Sequence, residues 1–258
     1  MILKTYIIRT LKDPLNLIML ILFPIAMISV MTFAANANVE GYDHITNGFN
    51  RFATGNLTFN VVFFQFFCGM IVTDYLYLDF RSDMRWRLMA TPKPFNRFLF
   101  SAIASSTFVS ILNGAIILAF GRFALSAHLH NLLITGATLI ILAVFLTMLG
   151  VLCFMFFPKK GTTTAVIMAF AFAQMLPIQF GMLTIEPDVI GAASFMPVVA
   201  GVRAMQHSGV MMAEFSDGEF IGMLDADMQM ALIHLGILAG FMVVTAIVVA
   251  IMGRRRPI

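Results

Sequence analysis

Residues 132–157 read LLITGATLIILAVFLTMLGVLCFMFF; the turn Pro158-Lys159-Lys160-Gly161 and a second uncharged run over 162–185 follow. The first run has no charge and no proline, and it exceeds the ~20 residues that span a hydrocarbon core as a helix. A soluble domain would need polar surface to hide both runs. This chain lacks it, because 60% of its 258 residues are hydrophobic and 11% are charged, against roughly 25% charged in an average soluble domain. The two runs therefore read as a transmembrane helical hairpin turning on a basic loop.

Working outward, uncharged runs recur at 15–35, 57–73, 98–121 and 228–253. With the second carried on to residue 78, six spans are expected, at about 15–35, 57–78, 98–121, 132–157, 162–185 and 228–253. They fill one domain over 1–258, an all-α integral membrane fold. The run at 15–35 follows Lys4, Arg9 and Lys12, and Ala34-Ala35-Asn36-Ala37 is its only small-residue stretch suited to cleavage. Its length is that of a full span, so it reads as the first helix and not as a signal peptide.

Charge placement orients these spans. Lys4, Arg9, Lys12, Arg81, Arg85, Arg87, Lys93, Arg97, Lys159, Lys160, Arg254, Arg255 and Arg256 are 13 of the 16 basic residues, and all fall in alternate polar segments. Arg51, Arg122 and Arg203 lie in the other segments, with Glu40, Asp43, Glu186, Asp188, Glu214, Asp217, Glu219, Asp225 and Asp227. Basic loops stay in the cytoplasm, so both termini are expected there and the acidic loops outside, in a multi-pass protein of the plasma membrane.

The segments between spans have their own patterns. Ile2, Leu3, Tyr6, Ile7, Thr10 and Leu11 recur at spacings of three and four, with Lys4, Arg9 and Lys12 between them. This is an amphipathic helix suited to the inner membrane interface, ended by Asp13-Pro14. Residues 80–90 contain no Pro or Gly and are stopped by Pro92 and Pro94, which predicts a short cytoplasmic helix. Phe80, Met84 and Leu88 form its apolar stripe, able to seat in a groove of another protein or to rest on headgroups with Trp86 as anchor. The short link 122–131 makes spans three and four antiparallel neighbours. Residues 192–212 are apolar but hold Pro197, Arg203, Gln206 and His207, and read as a re-entrant or interfacial outer element. Residues 214–227 read as an acidic solvated loop.

Catalytic motifs are absent from the sequence. There is no Gly-x-x-x-x-Gly-Lys-Ser/Thr loop for ATP, no His-Glu-x-x-His pair and no Gly-x-Ser-x-Gly turn. Gly161-Thr162-Thr163-Thr164 reads as hydroxyl capping of span five. His207-Ser208 has no orienting acid nearby in sequence, and His128 with His130 makes two metal ligands without a third. Cys68 and Cys153 lie within spans, as buried apolar side chains. No metal, cofactor or nucleic acid is expected on this chain, and Asp74 reads as an interface acid. Gln65, Asn113, Gln174 and Gln179 are polar residues inside spans, and Pro177 interrupts span five between the last two. Such amides either line a translocation path or bond between helices. Gly236 and Gly240 form a Gly-x-x-x-Gly pair compatible with close helix contact.

Taken together, the chain resembles the permease subunits of type-2 ABC transporters. The residues that carry this are Arg87-Leu88-Met89-Ala90-Thr91-Pro92 after span two, Asp13-Pro14 to Phe23-Pro24 leading into span one, and Phe195-Met196-Pro197 to Val202-Arg203 before span six. Where the family commonly carries a Glu/Arg-rich run with Gly-Thr, this chain has Asp79, Arg81, Asp83 and Arg85. The resemblance implies six spans with an N-terminal interfacial helix, a cytoplasmic coupling helix and an outer re-entrant element. It implies coupling through Arg81, Met84, Arg85, Arg87, Leu88 and Thr91 to a separate ATP-binding cassette subunit that holds ATP and Mg. It also implies a second permease copy, as homodimer or related heterodimer, within the lipid bilayer. The expected function is export of a hydrophobic drug, peptide or lipid by a non-catalytic membrane subunit. Polysaccharide export is the alternative within the family. A lone carrier or channel and a membrane scaffold or immunity protein are the rivals outside it.

Overall fold

In the computed structural model the described backbone comprises residues 2–38, 45–46, 49–82, 95–127, 129, 131–183, 195–208, 213–216, 219–223 and 227–255. Side chains are described within them at 3–14, 16–34, 53–82, 97–127, 129, 131–176, 195–208 and 227–253. Helix α1 (Ile2–Lys12) stops at Asp13 because the following Pro14 disfavours helical backbone before it. Helix α2 (Pro14–Leu17) restarts at once and runs through a π-helical turn, Ile18–Leu22, into α3 (Phe23–Asn38). The π turn has a cause in sequence. Pro24 has no N–H for the carbonyl four residues back, and the wider turn, closed by the Phe23 N–H on the Ile18 carbonyl, accommodates its ring.

The chain continues as a small hairpin, β1 (Ile45–Thr46) and β2 (Phe49–Asn50), then α4 (Arg51–Phe80), α5 (Phe95–Ala124), α6 (Leu132–Phe156), α7 (Lys160–Leu183) and α8 (Pro197–His207). A second antiparallel hairpin, β3 (Ala213–Ser216) and β4 (Glu219–Met223), precedes α9 (Met228–Arg255). Among the described residues, four helical stretches are long and apolar enough to cross a membrane: Ala53–Phe80, Arg97–Ala124, Leu132–Phe156 and Met228–Gly253. Ile18–Ala34 is a shorter apolar helix.

Several expectations change in detail. The acidic stretch before the last helix carries the β3–β4 hairpin and is not wholly loop. Phe80 belongs to the end of α4, buried, and not to an exposed stripe of the next segment. Helical backbone continues through Pro177, so α7 is not interrupted there; within a long helix a proline removes one hydrogen bond, which surrounding protein can compensate. The proposed outer re-entrant region contains α8, whose Pro197 sits at its first turn, where a missing N–H costs nothing.

Helix α4 is the centre of the molecule. It packs against α3, α5, α6, α7 and α8, and 72% of its most apolar stretch is buried, against 11% for α9 at the periphery. Its crossing with α6 is backbone on backbone. A Cβ added at Gly69 would meet the Leu146 carbonyl oxygen at 2.8 Å, and one at Gly150 would run into the Gly69 carbonyl oxygen. Gly236 and Gly240, whose spacing is compatible with close helix contact, have nothing within 4 Å of an added Cβ among the described residues of this chain. Among the described residues, two hydrophobic clusters fill the interior, one around Phe64, Phe66, Leu142, Met205 and Leu238, the other around Tyr6, Tyr75, Leu76, Val151 and Phe154. The second lies at the basic end, where α1, the end of α4 and the α6–α7 turn meet.

Candidate functional site

The last two turns of α4 present two faces to two different partners. Helical spacing puts Tyr75 and Asp79 on one face, and Asp74, Tyr77 and Arg81 on another. On the first face, the Tyr6 hydroxyl donates to Asp79 Oδ2, and Arg9 Nη1 lies 3.4 Å from Asp79 Oδ1. The Thr10 hydroxyl donates to the Tyr6 carbonyl at 3.0 Å and pairs with the Tyr75 hydroxyl. The Arg9 guanidinium lies over the Tyr75 ring, 5.3 Å from its centroid. Tyr6, Thr10 and Asp79 are all buried. A buried carboxylate is tolerated only when its oxygens are bonded, and here two donors from α1 supply that. Burial, then the bond to Asp79, raises the Tyr6 phenol well above its ordinary range, so it remains a donor. Ser105 Oγ, donating to the Leu3 carbonyl at 3.2 Å, fastens α1 to α5 as well.

The second face holds the α6–α7 turn. The Tyr77 hydroxyl donates to the Phe157 carbonyl at 2.6 Å and lies 2.7 Å from Thr163 Oγ1. Arg81 Nη2 donates to the Phe154 carbonyl at 2.8 Å and Nη1 to the Phe157 carbonyl. Its guanidinium lies 4.9 Å from the Tyr77 ring centroid and 4.5 Å from that of Phe154. The last carbonyls of a helix lack intrahelical partners and carry partial negative charge, so a cation with several donors suits the end of α6. Lys160 and Asp74 add an ion pair at 3.1 Å, each partly exposed. The Thr163 hydroxyl faces the Lys159 carbonyl four residues back, at 3.4 Å. It therefore links helices and does not cap the start of α7.

Of the six residues expected to couple to a partner, Arg81 sits in this cluster, turned onto α6. Met84, Arg85, Arg87, Leu88 and Thr91 lie outside the described residues, as do Trp86, His128 and His130. In the sequence, Tyr6 and Thr10 stand out only as part of the amphipathic pattern of the first helix and Asp79 only beside Arg81, and Tyr75 and Tyr77 do not stand out. Their signal was the four-residue spacing of Tyr6 with Thr10 and of Tyr75 with Asp79, the second pair at the end of a long apolar run.

The four amides of the candidate path separate by what they bond. Gln65 Nε2 donates to the Ser110 carbonyl at 3.1 Å, and Ser110 Oγ donates to Gln65 Oε1, joining α4 to α5. Gln174 Oε1 accepts from the Val198 N–H at 3.2 Å. It thereby caps α8, whose own N-cap residue Met196 supplies no side-chain bond. Asn113 is 2% exposed, and neither its Oδ1 nor its Nδ2 has a partner among the described residues. The Gln179 side chain lies outside the described residues. Asn113 thus has hydrogen-bonding capacity that the packed protein does not use.

Elsewhere, Ser208 Oγ donates to the Met205 carbonyl at 2.8 Å, and His207 stacks on His234, so the two neighbours form no nucleophile–base pair. Cys68 and Cys153 are free and buried. No protein-family model, curated protein or solved structure matches the chain.

Proposed function

We propose that this chain is the transmembrane permease subunit of an ATP-driven exporter of the type-2 ABC class, non-catalytic itself and driven by a separate ATP-binding subunit that carries ATP and Mg. The observation that carries this reading is the double attachment of the end of α4. Its last two turns are tied to α1 through Asp79 and to the α6–α7 turn through Tyr77 and Arg81. The basic segment from Arg81 to Arg97 begins at this point. A force applied to that segment by a partner would reach α1, α4, α6 and α7 together, as transmission between a soluble motor and a membrane bundle requires.

In this reading α3 and α7 join the four long apolar helices to make six spans. The basic end faces the cytoplasm with both termini, and the protein resides in the plasma membrane as one half of a homodimer or related heterodimer. Apolar walls rich in Phe and Met suit a hydrophobic drug, peptide or lipid as substrate, and Asn113, without a partner among the described residues, is a polar residue placed to meet it.

The test is purification of the tagged chain from gently solubilised native membranes, with co-purifying proteins identified and ATPase activity assayed. It is repeated with Arg85→Glu and Leu88→Asp. An ATP-binding subunit that co-purifies with the wild type and is lost from the variants supports the reading. Transport by the purified chain alone in liposomes overturns it in favour of a lone carrier.

A further inference from the structure

The contact between α8 and α9 holds two imidazoles. His207, the last residue of α8, stacks on His234 of α9 with ring centroids 5.5 Å apart and planes 14° from parallel. His234 is 8% exposed, and its Nδ1 is buried with no hydrogen-bond partner among the described residues. Buried polar atoms without partners are rare, and each needs a physical account. A neutral imidazole keeps a lone pair on one of its two ring nitrogens, and with no hydrogen bond at Nδ1 to fix the tautomer this ring can take up a second proton.

Among the described side chains, the charged surroundings are few. Arg203 lies one turn before His207 on α8, and Asp227, which caps α9 by accepting from the Met230 N–H at 3.0 Å, is the acid acting on His207. The other helices packed on α8 are α4, α6 and α7. Helix α6 has no charged residue, and the charged residues with described side chains on α4 and α7 are Asp74, Asp79 and Lys160, which take part in the contacts at the basic end. Within Met228–Gly253 of α9, His234 is the sole ionisable residue. Burial first, and then Arg203, hold the His207 imidazole below its ordinary value, with Asp227 acting the other way.

We propose that the His207–His234 stack is a proton-binding site whose occupation releases the α8–α9 contact. A first proton places a cation in a mostly buried contact beside Arg203, and a second opposes two like charges across the stack. Both costs disappear when the helices part and the rings reach water. A histidine that is harder to protonate in the packed state stabilises packing fully above its ordinary value of ~6.5. That stabilisation is lost as pH falls below ~6.5 toward the packed-state value. A shared metal ion is a poorer fit, because imidazole lone pairs lie in the ring planes and two nearly parallel planes do not converge on one ion. This inference stands on the packing of α8 against α9 and not on the transport reading.

The test is hydrogen exchange of the whole chain in detergent between pH 7.5 and 5.0, with intrinsic rates corrected, following residues 198–207. In the wild type, opening increases by up to about tenfold per pH unit below ~6.5 for each proton taken up. His234→Phe keeps an aromatic ring in the stack without a titrating nitrogen, and His207→Gln removes the other partner. Both flatten the acid response if the inference holds. It is overturned if His234→Phe responds to acid like the wild type, or if the wild type shows no acid response. It is also overturned if protection changes with added zinc or copper ions at pH 7.5 and not with acid.

Discussion

The phenol of Tyr6 on the first helix donates to the carboxylate of Asp79 in the last turn of α4, joining residues 73 positions apart in sequence. With Arg9 on the same carboxylate, this pair is the main polar tie holding α1 to the bundle. Asp79→Ala leaves the buried Tyr6 hydroxyl without an acceptor, a loss of about 1–3 kcal/mol. The expected outcome is earlier tryptic cleavage after Arg9 and Lys12 and faster exchange across α1. Asp79→Asn, which keeps an acceptor, recovers part of the protection. Unchanged cleavage in Asp79→Ala would show that apolar packing alone seats α1.

The α4–α6 crossing makes a contrast among glycines. Gly150→Leu has no room against the Gly69 carbonyl and is expected to destabilise the bundle by about 1–3 kcal/mol or more, as overpacking does. Gly240→Leu, with open space around it, leaves the thermal midpoint of the solubilised monomer nearly unchanged. Scanning calorimetry of both variants in one detergent measures the difference.

Arg81 anchors the α6–α7 turn through two carbonyls and two rings. Arg81→Lys keeps the charge but not the planar fork, and does not conserve the interaction. Because Arg81 is exposed, the stability loss is expected to be modest, about 1 kcal/mol. The sharper readout is local: exchange at residues 157–163 rises in Arg81→Lys and Arg81→Ala alike, with the rest of α6 unchanged.

Asn113 and Gln174 predict opposite responses to the same change. Gln174→Leu strands the Val198 N–H and costs about 1–3 kcal/mol, read as a lower midpoint and loss of protection at the start of α8. Asn113→Leu replaces two buried unpartnered polar atoms with apolar surface, and its midpoint is expected to hold or rise. If Asn113 meets substrate, this variant transports less while being no less stable. Unaltered transport would remove Asn113 from the path.

Helix existence was legible because it depends on local composition. An uncharged run in a chain with so little charge satisfies its backbone within itself. The reading at 132–157 accordingly became Leu132–Phe156, and that at 228–253 became Met228–Arg255. Proline and aspartate marked the end of α1 for the same local reason. Partnership was not legible. Gln65, Asn113 and Gln174 are the same chemistry in the same kind of run, yet one bonds across helices, one caps a helix and one has no partner among the described residues, because side-chain bonds depend on rotation of each helix against neighbours distant in sequence. The glycine motif illustrates the same limit. Gly236 and Gly240 have the spacing for close contact, while within the described residues of this chain backbone meets backbone at Gly69 and Gly150, on different helices. Spacing along one helix defines a face; which face meets another backbone is decided only when α4 and α6 pack.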